Sequence, residues 1–115
     1  MRRGVVLIVG SLLVAAPAAA HDLPFFWSVA KVMRATDGAR VHVGRAVVRV
    51  DQDSTLCAGQ GAARKRDGVR RWRHFICTYT TFTRRGVGRD LEFRVHVLGV
   101  RRFLITDARW LGNGL

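Results

Sequence analysis

Apolar residues recur at two different spacings along the chain. Between 25 and 37 the spacing is helical, and the apolar positions are Phe26, Val29, Ala30 and Met33. Asp22 is suited to cap the helix and Pro24 to occupy its first turn, while Gly38 favours the left-handed conformation that ends a helix. The pattern predicts one amphipathic helix of about three turns.

After Gly38 the apolar positions alternate, which is the spacing of strands with one buried face. Short β-type runs occupy 41–43 and 47–50, and longer strands are predicted at 55–59, 72–82, 91–97 and 103–110. The clearest alternation places Leu91, Phe93, Val95 and Val97 inward and Glu92, Arg94 and His96 outward. Two polar, basic segments, 59–71 and 84–90, are predicted to be loops, and Gly99 marks a tight turn.

The predicted fold class is α+β, with one N-terminal amphipathic helix packed on an antiparallel meander of four to five strands. This order of elements resembles that of the cystatin-like folds, and the resemblance implies a helix lying across a curved sheet. We expect Phe26, Val29 and Met33 to pack on the inward face of strand 91–97, because a small domain can hide two apolar stripes only against each other. Fold class by itself carries no function.

The first residues have the three parts of a secretory signal peptide. Arg2 and Arg3 are followed by the apolar run 5–16 and by the small residues Ala18, Ala19 and Ala20. The apolar run is shorter than the roughly 20 residues that a spanning helix needs. We therefore predict a signal peptide at 1–20, a single domain at 21–115, and a secreted or periplasmic location without a transmembrane helix after processing.

The segment TLCAGQG at 55–61 contains one of two cysteines, Cys57 and Cys77. It lacks the lysine and hydroxyl residue of a phosphate-binding loop, and the two cysteines lie too far apart for a C-x-x-C redox motif. An even pair in an exported chain predicts a disulfide, here between neighbouring antiparallel strands. The glycines are expected to let the strand kink or bulge as it leaves the sheet.

The chain carries 20 Lys and Arg against 8 Asp and Glu, a net charge of +12. Loss of Arg2 and Arg3 with the signal peptide leaves 18 against 8, or +10. Such a charge favours acidic envelope polymers, anionic lipid headgroups or an acidic exported protein as partners. Sixteen of the 18 bases are Arg, which also fits the composition of a G+C-rich bacterium.

The charge therefore has two open interpretations, a binding surface or composition alone. The candidate anion-binding residues are Arg64, Lys65, Arg66, Arg70 and Arg71 in one loop, with Arg49, Arg94 and His96 on the outer sheet face. Composition is slightly favoured, because bases lie in loops at both ends of the predicted sheet.

Histidines suggest a second kind of site. Cleavage after Ala20 would expose His21 as the N-terminus, whose amine and imidazole can chelate copper with His42, His74 or His96 as a third ligand. The ordinary alternative makes His42 and His96 two solvated imidazoles on a half-exposed sheet.

No catalytic constellation is visible in the sequence. Ser28 and Ser54 lack a nucleophile elbow, and the turn residues Asp51 and Asp53 lack the remainder of a calcium loop. The sequence therefore predicts a non-enzymatic binding or interaction domain without a cofactor, and export makes nucleic acid an unlikely ligand. The alternatives are a copper protein using His21 and an enzyme with an unrecognised active site.

Overall fold

A computed structural model describes residues 25–112. The elements are α1 (Val29–Thr36), β1 (Arg40–Val43), β2 (Ala46–Arg49), a 3-10 turn (Gln52–Ser54), β3 (Thr55–Gln60), β4 (Arg64–Arg66), β5 (Val69–Arg71), β6 (His74–Phe82), β7 (Gly88–Val97) and β8 (Phe103–Trp110). Within this range the protein is mostly antiparallel sheet with one helix, which confirms the α+β class. The predicted signal peptide, the Asp22 cap, Pro24 and His21 lie outside the described residues.

The main sheet has four antiparallel strands in the order β8–β7–β6–β3. Strands β6, β7 and β8 follow one another directly, as a meander does. Strand β3 pairs with β6 although β4 and β5 lie between them in the chain. The predicted polar loop 59–71 is therefore wrong in part, because the chain forms an additional two-stranded hairpin there.

Strand β7 supplies the centre of the hydrophobic core. Its inward residues Leu91, Phe93, Val95 and Val97 are buried, as their alternation predicts. The same buried cluster contains Phe75 of β6 and Val32 of α1. The strand's other face is partly exposed, so its polar residues remain accessible to ligands.

The helix is shorter than predicted and begins at Val29. The Ser28 side chain caps it by accepting a hydrogen bond of 3.1 Å from the backbone N–H of Lys31. Trp27 instead forms an antiparallel β-bridge with Trp72, which holds the preceding segment in extended conformation. The placement of Phe26 on the helix is therefore wrong.

The buried face of the helix is shifted relative to the predicted one. Val32 and Thr36 are buried, Val29 and Met33 are partly buried against the core cluster, and Ala30 is exposed. The shift follows from the later start of the helix. Its predicted end is correct, since Gly38 has a φ of +79°.

The predicted disulfide is present. Cys57 and Cys77 lie opposite each other on β3 and β6, their Cα atoms are 4.0 Å apart, and their sulfurs are bonded. The bond fastens the edge strand β3 to the centre of the sheet.

The two glycines of TLCAGQG have different functions. Gly59 stays in regular register opposite Phe75, so the predicted kink at this residue is wrong. The Trp72 indole occupies the space of a side chain there, and a Cβ on Gly59 would lie 2.0 Å from its ring. Gly61, with a φ of +79°, provides the change of direction as the chain leaves the sheet.

Candidate functional site

The β4–β5 hairpin is formed by its local sequence. Asp67 and Gly68 have φ values of +52° and +76°, as in the type I′ turns that connect two closely paired strands. Arg66 and Val69 flank this turn as a cross-strand pair. An Asp-Gly dipeptide is one of the favoured sequences for such a turn, and it is the signal in the sequence that predicts this hairpin.

Bases face bases across the hairpin. Arg64 lies opposite Arg71, and Lys65 lies opposite Arg70. Residues 61–70 are all exposed, so this hairpin buries almost nothing of its own. Like charges directly opposite each other destabilise a strand pair, so folding alone does not account for this sequence.

Aromatic residues attach the open end of the hairpin to the rest of the domain. Backbone hydrogen bonds of 2.8 Å join Trp27 and Trp72 in both directions. The Arg64 guanidinium lies 4.7 Å from the centroid of the Phe26 ring, a cation–π arrangement. The Arg71 guanidinium donates to the Arg66 carbonyl oxygen at 2.9 Å, across the hairpin. These contacts give the charged hairpin a fixed attachment to the domain.

The structure separates the other predicted anion-binding residues. Arg94 and His96 lie on the outer face of β7, where the Arg94 guanidinium donates to the side-chain Oε1 of Gln60 at 3.0 Å. Arg49 is exposed on β2, in the separate β1–β2 sheet, so it does not join them. The basic turn at 84–87 lies at the opposite end of β6 from the hairpin.

One ion pair between described residues lies on the main sheet, away from the hairpin. The ion pair found between described residues joins Arg109 and Glu92, at 3.0 Å, on β8 and β7. None of the five hairpin bases takes part in it. Four of these bases are exposed and Arg71 is half-buried, so the hairpin presents a dense group of cations to solvent.

A chain of hydrogen bonds runs over the outer face of the sheet. His74 and His96 lie opposite each other on β6 and β7, and their Nδ1 atoms are 2.8 Å apart. His96 Nε2 lies 2.7 Å from Thr106 Oγ1, and that hydroxyl donates to Asp107 Oδ2 at 3.0 Å. His96 is half-buried and hydrogen-bonded on this face, and His42 is exposed on β1.

The hydrogen bonds determine where the ring protons lie. Because the Thr106 hydroxyl proton points to Asp107, His96 Nε2–H must donate to Thr106. His96 Nδ1 then carries a lone pair, which accepts a hydrogen bond from His74 Nδ1–H. Burial, the neighbouring His96 and Arg73 lower the pKa of His74, so its neutral form predominates at neutral pH.

A backbone irregularity positions the acidic end of this chain. The register between β8 and β7 shifts between Thr106 and Arg109, and Asp107 has a φ of +55°. Such a bulge re-aims side chains, here bringing the Asp107 carboxylate to Thr106. A cavity of about 260 Å³ adjoins it, lined by Arg40, His42, Ile105, Thr106, Asp107 and Ala108.

Sequence reasoning missed this cluster. The sequence indicates His74 only as a possible third copper ligand, and no pattern in it marks Thr106 or Asp107. Strand order was needed to place His74 beside His96, and no residue type in 103–110 marks the bulge. The copper hypothesis at His21 stays a prediction, because that residue lies outside the described range.

Comparisons with other proteins add no information on function. No protein-family model, curated protein or solved structure matches the chain. Within residues 25–112, no helix is long and apolar enough to cross a membrane. Functional inference therefore depends on the geometry of the protein itself.

Proposed function

We propose that the protein is an exported, non-enzymatic binding domain whose β4–β5 hairpin binds acidic polymers. The observation that carries this proposal is the set of exposed bases facing each other across the hairpin, Arg64 with Arg71 and Lys65 with Arg70. An anionic chain placed along the hairpin would remove their mutual repulsion and gain attraction to both strands at once.

The arrangement suits a polymer better than a single small anion. Arg64, Arg66 and Arg71 share one face of the hairpin, while Lys65 and Arg70 share the other. Successive bases on one face of a strand are about 6.6 Å apart, from a rise of about 3.3 Å per residue. One small anion cannot contact all five, whereas a chain with repeated carboxylate, sulfate or phosphate groups can follow the hairpin.

Export is part of this proposal. The Cys57–Cys77 bond is typical of oxidising compartments, and it supports the secreted or periplasmic location that the predicted signal peptide implies. Acidic envelope polymers would then be the available ligands, and nucleic acid would not. We also propose the cystatin-like arrangement of α1 across the sheet, supported by burial of Val32 in the sheet's core cluster.

The test measures binding to a soluble acidic polysaccharide over a range of salt concentrations. We expect log affinity to fall linearly with log salt, as counterions are released from the polymer. Replacing Arg64, Lys65 and Arg66 by Gln should weaken binding about tenfold or more and reduce the slope by about 2. The matched control replaces Arg45, Arg84 and Arg85, three exposed bases outside the hairpin.

The control variant distinguishes a binding site on the hairpin from attraction by the overall positive charge of the protein. If the hairpin is the binding site, the variant at Arg45, Arg84 and Arg85 should lose much less affinity than the hairpin variant. Equal losses of affinity in both variants would show that binding depends only on the overall charge of the protein. That result would contradict the proposal. Binding to anionic vesicles but not to the polymer would assign the hairpin to lipid headgroups instead.

A further inference from the structure

We propose that His74 and His96 form a copper(II) site on the outer face of the sheet, with Nδ1 of each imidazole as a ligand. This site is separate from the basic hairpin and does not involve His21. The two strands place the residues opposite each other, and both side chains lie on the accessible face of the sheet.

The distance between the two nitrogens is that of a hydrogen bond, and it is also close to the spacing of two neighbouring ligands on a square-planar metal. Two ligands about 2.0 Å from a metal and 90° apart are separated by about 2.8 Å, and tetrahedral ligands by about 3.3 Å. His74 Nδ1 and His96 Nδ1 are 2.8 Å apart. Square-planar coordination by imidazole is preferred by copper(II) and nickel(II).

The hydrogen bonds beyond His96 prepare it to coordinate a metal. Imidazole ligands usually donate their second ring N–H to an oxygen acceptor, which fixes the tautomer and the ring orientation. His96 Nε2–H donates to the Thr106 hydroxyl, which in turn donates to Asp107. This arrangement leaves the His96 Nδ1 lone pair directed at His74.

Coordination needs one rearrangement of protons and a turn of both rings, so that the two Nδ1 lone pairs point to the metal instead of along the line between the nitrogens. The proton on His74 Nδ1 moves through solvent to the Nε2 atom of this exposed ring, and Nδ1 then presents a lone pair to the metal. Both imidazoles bind as neutral ligands. Within residues 25–112 no three His, Cys, Asp or Glu side chains form a metal-holding group, so water completes the coordination.

Local charge narrows the choice of metal. Arg73 precedes His74, and Arg94 lies two residues before His96 on the same face of β7, so a cation meets repulsion. The metal must therefore bind imidazole strongly. Copper(II) has the highest affinity among the divalent first-row metals, and so the site is assigned to it rather than to nickel or zinc.

The experiment titrates copper(II) chloride into the full chain carrying His21→Ala, so that an exposed N-terminal histidine cannot contribute. Binding is followed by visible absorption and by the nitrogen hyperfine pattern in electron paramagnetic resonance. We expect two coordinated imidazole nitrogens. His74→Ala and His96→Ala should each lower affinity at least tenfold. Asp53→Ala is the control that should leave it unchanged, because this exposed residue precedes β3 at the end of that strand away from His74.

Thr106 is a positioning residue in this account. Thr106→Val should lower copper affinity by about tenfold to a hundredfold and alter the hyperfine pattern, while Thr106→Ser should restore both. Thermal unfolding without copper verifies that each variant is folded, and His96→Gln replaces any variant that is not. Equal copper affinity in the His74 and His96 variants and the Asp53 control would overturn the proposal, as would a spectrum without coordinated nitrogen.

Discussion

The four-stranded sheet and the β4–β5 hairpin are both paired antiparallel, but they place different kinds of side chain opposite each other. In the sheet, cross-strand neighbours such as Phe75 and Val95 are buried together, and a disulfide fastens the edge strand. In the hairpin, cross-strand neighbours are Arg64 with Arg71 and Lys65 with Arg70, all outside the core. Folding explains the residues of the sheet, whereas the opposed basic residues of the hairpin are the basis of the binding proposal.

The largest difference between the two regions is expected from removing a buried ring. Phe93→Ala should lower the free energy of unfolding by about 3 to 5 kcal/mol, because the fully buried side chain leaves a cavity. Val69→Ala in the hairpin, where the side chain is 41% exposed, should cost less than about 1 kcal/mol. Urea denaturation measures both, and similar losses would refute the contrast.

The disulfide should give the next largest effect. Replacing Cys57 and Cys77 together by Ala should lower the free energy of unfolding by about 3 kcal/mol, because the unfolded chain regains the entropy of a ring that spans about 20 residues. Thermal and urea unfolding of the oxidised protein and the variant measure the change. Unaltered stability would mean that the bond does not hold β3 on the sheet.

A smaller effect is expected where the hairpin joins the sheet. Gly59→Ala should cost about 1 to 3 kcal/mol, because its Cβ would overlap the Trp72 ring and force it to move. Tryptophan emission, to which Trp72 contributes together with Trp27 and Trp110, should change as well. Gly88→Ala is the matched control, since a Cβ there meets Phe82 at an ordinary 3.6 Å. A stable Gly59 variant with unchanged fluorescence would show that the indole is not fixed there.

The smallest effect on stability is expected within the hairpin. Replacing Arg64, Lys65 and Arg66 by Gln should leave the free energy of unfolding unchanged or raise it by up to about 0.5 kcal/mol at low salt, because like-charge repulsion is relieved. Urea denaturation at two salt concentrations tests this. A loss of more than about 1 kcal/mol would mean that these bases stabilise the fold.

Local patterns predict the sheet better than they predict the sites. Alternation in 91–97 identifies the inward side chains, and the parity of cysteines identifies the disulfide. The start of the helix is missed because the Trp27–Trp72 pairing joins residues 45 positions apart. The His74–His96 pair likewise depends on strand order and register, which spacing along one strand does not contain.

The sequence contains one local signal for the hairpin, but its composition favours a loop. Asp67-Gly68 predicts its turn, but the flanking strands are only three residues each and lack apolar alternation. The closely spaced basic residues on both sides of the turn are typical of a solvated loop. The pairing of β4 with β5 is therefore evident only in the structure, where basic side chains lie opposite each other.

The most direct test of the hairpin as a binding site is to map a bound acidic polysaccharide by backbone amide chemical shifts. The account predicts that the largest changes fall within residues 64–71, with much smaller changes in the turn at 84–87 at the other end of β6. Equal changes in both basic segments, or changes confined to the 84–87 turn, would contradict it.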